Sequence, residues 1–298
     1  MRGTEELFIQ PQTLSEAQEL LKELPENFLI LAGGTDLFVS LREKGEEDTG
    51  LFSLCMIPEL KKIEKQNGWL KVGSMVTHTQ ASEDPFIIDY FHALAMACAH
   101  VGSCQIRNKG TLGGNIMNGS PAGDILPCIC LFDGELEFLG TAGFRRESVF
   151  AFLQKKKEER VRDREILTGI YLPVPEDKKT DSIFLKLGGR EEVTIAQISL
   201  CVRWQWVKEE KKNVEAYMGA VDTKPVLCNF PSLLEGREIG ERETEKIAEV
   251  LSSQITELRK KRKRQPKLKI TEAERLYKER AVRGLLYDLT DEMNQRRG

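Results

Sequence analysis

Two glycine-bearing segments, one at residues 32–37 and one at residues 110–119, constrain this 298-residue chain more than any other feature. In the first, the apolar run Phe28-Leu29-Ile30-Leu31 reads as a buried strand, Ala32-Gly33-Gly34-Thr35-Asp36 breaks it, and Leu37 to Arg42 opens a helix. Glycine puts no Cβ between the backbone and a ligand, and a helix N-terminus offers unpaired N–H groups and partial positive charge. Strand, glycine turn and helix therefore suit a phosphate or pyrophosphate, with Thr35 as an added hydroxyl donor. A plain turn with a threonine cap is the other reading. The segment matches neither G-x-G-x-x-G nor G-x-x-x-x-G-K-[ST], so neither a Rossmann fold nor a P-loop is indicated.

The second segment is more specific. Gly110, Gly113, Gly114 and Gly119 stand among Thr111, Asn115, Asn118, Ser120 and Asp124, all small donors or acceptors. So many glycines cost backbone entropy on folding, which asks for a geometric reason. A backbone laid flat against a polar ligand supplies one, with Asp124 accepting from ligand hydroxyls. A tortuous surface loop is the alternative. The stretch 102–115 is too glycine-rich for a helix and too polar for a core strand, and Asp124 is placed to cap a short helix over 125–131.

Around these segments the pattern is α+β. Leu14 to Leu24 carries an apolar helical face, with Thr13 as cap and Glu16 as its capping-box partner. Short strands fall near Leu54, Ile63 and Leu70–Val72, and a turn at Asn67-Gly68. A long apolar helix is expected from Pro85 to Val101, a strand over 135–139, a charged helix over 154–164 and a strand over 165–172. Residues 176–181 read as a linker, which puts a boundary at 178/179. The first domain, 1–178, divides into α/β subdomains of about 1–55 and 56–178. In the second, 179–298, strands over 184–187, 198–206 and 214–221 precede two or three helices.

Composition excludes several classes. The net charge of −3 gives no general attraction to nucleic acid or anionic membranes, and no apolar run is long enough to span a bilayer. The start of the chain lacks the apolar core of a secretory signal, so a cytoplasmic protein is expected. Seven cysteines without repeated spacing argue for reduced core thiols rather than a disulfide framework or an iron–sulfur cluster. His92 and His100 are too far apart on a helix to share a metal, and His78 reads as structural. The basic run Arg259 to Arg264 reads as a solvated loop.

With both segments in view, AGGTDL at residue 32 and GSCQIRNKGTLGGNIMNGSPAGD some 70 residues later resemble the paired FAD-binding signature of the molybdenum hydroxylase flavoprotein subunits. These are the medium subunits of xanthine, nicotinate and carbon monoxide dehydrogenases. The likeness continues through Glu165 to Pro173, Phe184 to Leu187, Arg190 and Ile195-Ala196. It implies a vanillyl-alcohol-oxidase-type FAD-binding fold followed by a smaller C-terminal α+β domain.

The resemblance implies that Leu31, Ala32, Gly33, Gly34, Thr35, Asp36 and Leu37 meet the FAD pyrophosphate, as do Thr111, Leu112, Gly113, Gly114 and Asn115. Asn118 and Asp124 would hold the ribityl and nearby polar groups, and Leu167 would pack on the isoalloxazine. Lys186 would lie beside the polar edge of the ring, its ammonium free to tune the flavin rather than to hold the fold. Val101 stands where some relatives place an aromatic residue near the flavin, and Cys104 replaces a proline common in this loop.

The function implied is electron relay: FAD takes electrons from iron–sulfur clusters of a partner and passes them to NAD+ or another acceptor. A molybdopterin-binding large subunit and a 2Fe-2S small subunit are the implied partners, without nucleic acid or membrane. No protein metal site and no catalytic side chain are required, because the flavin carries the chemistry. Two alternatives remain open at this point, a self-contained vanillyl-alcohol-type flavin oxidase and an assembly or regulatory relative without flavin.

Overall fold

The computed structural model describes residues 7–45, 49–156, 159–160, 164–176, 179–188, 195–236, 238–262 and 272–296. The chain divides into two compact units, the first made of residues 1–81, 103–119 and 132–174 and the second of 82–102, 120–131 and 175–298.

The first unit opens with β1 (Phe8–Ile9), α1 (Leu14–Lys22), β2 (Phe28–Leu31), α2 (Leu37–Lys44) and β3 (Gly50–Ser53). The three strands are parallel in the order β1-β3-β2, with Leu29 beside Leu51 and Ile30 beside Phe52. Thr13 caps α1 by accepting from the Glu16 N–H, while the Glu16 carboxylate reaches back to the Gln12 N–H at 2.7 Å. Ala17 and Leu21 of α1 join Phe52, Leu54, Ile57 and Leu60 in the core beneath this sheet.

A second sheet, antiparallel, has the order β4-β5-β8-β6-β7. Its strands are β4 (Ile63–Gln66), β5 (Trp69–Gly73), β6 (Glu135–Gly140), β7 (Gly143–Ser148) and β8 (Ile166–Pro173). Asn67 and Gly68, both at positive φ, form the two-residue turn between β4 and β5, the geometry that matches strand twist.

In the second unit β9 (Thr180–Gly188), β10 (Ala196–Val207), β11 (Glu210–Gly219) and β12 (Val226–Leu227) make an antiparallel sheet in the order β12-β11-β10-β9. Long helices α10 (Glu241–Arg262) and α11 (Glu272–Gln295) follow. Trp204, Met218, Ile247, Leu251 and Leu286 belong to its core. Besides 175–298 the second unit takes in 82–102 and 120–131. The reason is apolar packing: α5 (His92–Ala99) lies against β9, and α8 (Ile125–Leu131), buried at every position, lies against β10 and β11.

Several sequence expectations change. The single helix expected over 85–101 is two helices, α4 (Pro85–Tyr90) and α5, broken at Phe91. Phe91 leaves helical geometry (φ −133°, ψ 45°) with its ring fully buried, and the Ser182 hydroxyl takes up the Ala93 N–H exposed at the new N-terminus. Between Val101 and Asn118, where no helix was expected, α6 (Cys104–Arg107) and α7 (Leu112–Asn118) form, because Ser103 and Thr111 each cap a short turn. The helix before β8 is α9 (Val149–Gln154), earlier than the charged run; residues 157–158 and 161–163 of that run lie outside the described residues. The basic run, read as a loop, instead continues α10 as far as Arg262, and its last two residues also lie outside the described set.

Candidate functional site

In the first unit the two glycine segments touch. A Cβ on Gly33 would sit 2.0 Å from the Lys109 carbonyl oxygen, a distance no side-chain carbon tolerates, so the 32–36 turn lies directly on the backbone that leads into Gly110. Gly34 follows at φ +74°, a conformation that costs L residues energy and glycine little. The turn then enters α2 with the Phe38 N–H bonded to the Gly34 carbonyl. Among the described residues no protein acceptor takes the N–H groups of Gly33, Gly34, Thr35 or Asp36. Asp36 makes no side-chain cap, so its side chain does not close the N-terminus of α2.

The second segment differs. The Leu112 N–H bonds to the Val76 carbonyl and the Gly113 N–H to the Ser74 carbonyl, both at 3.0 Å. The Gly114 N–H bonds to the Thr111 hydroxyl at 3.0 Å. The donors expected to meet a phosphate at 112–114 are thus occupied by the protein itself. Gly113 is required by packing, since its Cβ would lie 2.6 Å from Ser74. What this segment leaves open is the Asn115 Oδ1, buried without a partner. Asn118 lies exposed at the end of α7, before Gly119 turns left-handed at φ +60°.

In the second unit Asp124 does not cap α8. Its Oδ2 accepts from the Lys186 ammonium at 2.6 Å, with the two side chains only 5% and 6% exposed. Lys186 also donates to the His100 carbonyl at 3.2 Å. The ammonium expected to be free is therefore engaged, which leaves one of its three N–H groups over. The Asp124 Oδ1 is buried and unpartnered. Burial pushes the Asp124 carboxyl up from its ordinary value, and the neighbouring Lys186 opposes this only in part. Val101 lies half-buried in the same unit, just after α5.

Leu167 is 4% exposed, in β8 opposite Phe138. Ser74, which sequence reasoning passed over, and His78, which it read as structural, lie beneath the second glycine segment. Ser74 carries the carbonyl that fixes Gly113, and the His78 N–H bonds to the Gly110 carbonyl at 3.1 Å. Burial, and secondarily the Arg107 charge, lower the His78 pKa from 6.5 to about 4, so the ring is neutral at pH 7. No local pattern marks these residues, because their role exists only once the 110–114 backbone is laid over them. None of the seven cysteines is in a disulfide, and no group of three or more ligating side chains is arranged for a metal among the described residues. No helix among those residues is long and apolar enough to cross a membrane.

Residues 3–175 match the family model described as the FAD binding domain in molybdopterin dehydrogenase. The chain belongs to that family. It is 32% identical over 197 residues to the nicotinate dehydrogenase FAD-subunit of Eubacterium barkeri, an alignment covering 64% of this chain and 66% of that one. It is 28% identical over 217 residues to a putative xanthine dehydrogenase FAD-binding subunit of Escherichia coli K12, covering 72% and 74%. Quinoline 2-oxidoreductase from Pseudomonas putida 86 shares the fold with a TM-score of 0.81 at 20% identity, over 99% of this chain and all of that one. The cofactor of the family is FAD, and the open turn at Gly33–Asp36 lies inside the matched region.

Two outcomes follow from the local chemistry. Removing one partner of a buried ion pair strands the other charge, so Lys186→Met should cost about 3–5 kcal/mol in urea unfolding, and Lys186→Met with Asp124→Leu should recover most of it. Equal costs for the single and double variants would show that the pair is not closed to water. His78, whose folded pKa is depressed, contributes stability that is complete above pH 6.5 and lost as pH falls towards 4, about 3 kcal/mol in all. His78→Gln should flatten stability against pH over that window, and an unchanged profile would place the loss elsewhere.

Proposed function

We propose that this chain is the FAD-carrying electron-transfer subunit of a molybdenum-containing dehydrogenase, with the FAD pyrophosphate held on the Gly33–Asp36 turn. The observation that carries the reading is that turn: four consecutive N–H groups without acceptors among the described residues, at a positive-φ glycine and a helix N-terminus. Backbone donors so arranged favour an anion, and the α2 dipole adds to them. The second segment contributes by shape and by side chains rather than by its N–H groups. It supports the turn through the Lys109 carbonyl and offers the Asn115 oxygen to a ligand hydroxyl or N–H.

For the flavin end we assign Asp124 and Lys186 to the polar edge of the ring: the Asp124 Oδ1 is buried without a partner, and a ring N–H would satisfy it. Asn118 is the further polar contact we assign to the ribityl chain. We assign Val101 the flavin-side position with an aliphatic contact only, and the vanillyl-alcohol-oxidase-type fold to the FAD-binding part. Bound FAD would supply one- and two-electron chemistry, so the protein's part is to bind, orient and set the electrostatics.

The family's setting in molybdopterin dehydrogenases supports a place beside two partners, for which we propose a molybdopterin-binding large subunit and a 2Fe-2S small subunit; a cytoplasmic location is part of the same proposal. The names of the relatives, FAD subunits of nicotinate and xanthine dehydrogenases, point the same way. Electrons would arrive from the iron–sulfur clusters and leave to NAD+ or another acceptor.

The test is direct. The full chain, purified and titrated with FAD, should take up one equivalent, show the two-band flavin spectrum and release FAD on denaturation. Thr35→Pro, which removes one of the open donors, should weaken retention at least tenfold. A chain that stays colourless after reconstitution would overturn the reading.

A further inference from the structure

The Asp124–Lys186 pair carries a consequence for protons. The carboxylate and the ammonium, nearly closed to solvent and 2.6 Å apart, sum to zero charge. An uncompensated charge in such surroundings is expensive, and a neutral cluster is far cheaper. If the flavin lies at this pair, as the proposed function has it, two electrons and one proton taken up at the ring add one net negative charge to the cluster. We propose that Asp124 is a redox-linked proton acceptor: the carboxylate takes one proton from solvent water when the bound flavin is reduced, and returns it on reoxidation.

The balance closes. Two electrons come from the iron–sulfur partner, one proton goes to the flavin and one to Asp124. With the Lys186 ammonium beside the reduced ring as counter-ion, the cluster is neutral in both states. The geometry provides the place, because Asp124 Oδ1 has no hydrogen-bond partner and its lone pairs are available, while Oδ2 stays on Lys186. Burial already favours the protonated carboxyl.

The titratable neighbours do not compete for this proton. Lys186 faces Asp124 from β9, and Cys98 and Cys128 face it from α5 and from α8 itself. Burial pushes both thiols up, so they stay neutral, and Cys201 of β10 acts on Cys128. His100, just past α5, acts on Asp124 electrostatically. Its Nδ1 donates to the Met96 carbonyl at 2.8 Å, and the ring is exposed. His100 is thereby the solvent-side member of the cluster.

The experiment is a dye-equilibrated titration of the midpoint potential of FAD bound to the full chain, repeated across the neutral pH range. Unmodified protein should take up two protons per two electrons, and Asp124→Asn one, so the slope of potential against pH should halve. Equal slopes in the two proteins would overturn the proposal. Should Asp124→Asn lose FAD, the reduced-minus-oxidised infrared spectrum of unmodified protein decides. A carboxylic-acid C=O band that appears on reduction and shifts with 13C-aspartate is expected, and its absence would overturn the proposal. Failure to bind FAD at all defeats the proposed function and this inference together, whereas bound FAD with equal slopes defeats only this one.

Discussion

The contact between Gly33 and the Lys109 carbonyl is the constraint on which the candidate site depends. It brings residues far apart in the chain to backbone-on-backbone distance, which only a residue without Cβ allows. Once Gly33 is seated there, Gly34 must turn left-handed to lead into α2, and the donors of the turn are left without protein partners. The second glycine segment is held in place to receive it by bonds to Ser74 and Val76 and by His78 beneath Gly110. One segment is thus consumed in making the platform, and the other is kept open on top of it.

The second unit solves a different problem. Helices α5 and α8 are apolar enough to be drawn onto the sheet β9-β10-β11, and this brings Asp124, at the head of α8, to Lys186 on β9. Neither charge would be tolerated alone at such burial, so each justifies the other's position. The same pairing holds the fold locally and, in the proposed reading, would fix two groups beside the flavin, which is why Lys186 is not assigned to tuning alone. Stability and function share one ion pair.

Much of this was legible in the sequence, and the exceptions have physical causes. The first glycine turn, β2 and α2 were readable because strand period, glycine and helix onset lie next to one another in the chain. Thr13 and Glu16 announced α1 by the same local logic. The break at Phe91 was not readable, since the burial of its ring and the Ser182 hydroxyl that compensates the lost helix bond are tertiary facts. Helices α6 and α7 were legible only in their caps, Ser103 and Thr111, which the density of glycines hid. The occupied N–H groups of Leu112 and Gly113 and the pairing of Lys186 depend on partners distant in sequence, which spacing alone does not reveal.

The central claim is that the open turn at Gly33–Asp36 recognises a pyrophosphate, a group that FAD has and FMN lacks. Equilibrium titration of the full chain with each flavin, followed by quenching of flavin fluorescence and with ADP as competitor, tests it most directly. FAD should bind at least a hundredfold more tightly than FMN, worth about 2.8 kcal/mol at about 1.4 kcal/mol per tenfold, and ADP should displace it. FMN binding as tight as FAD, with no competition from ADP, would contradict the account.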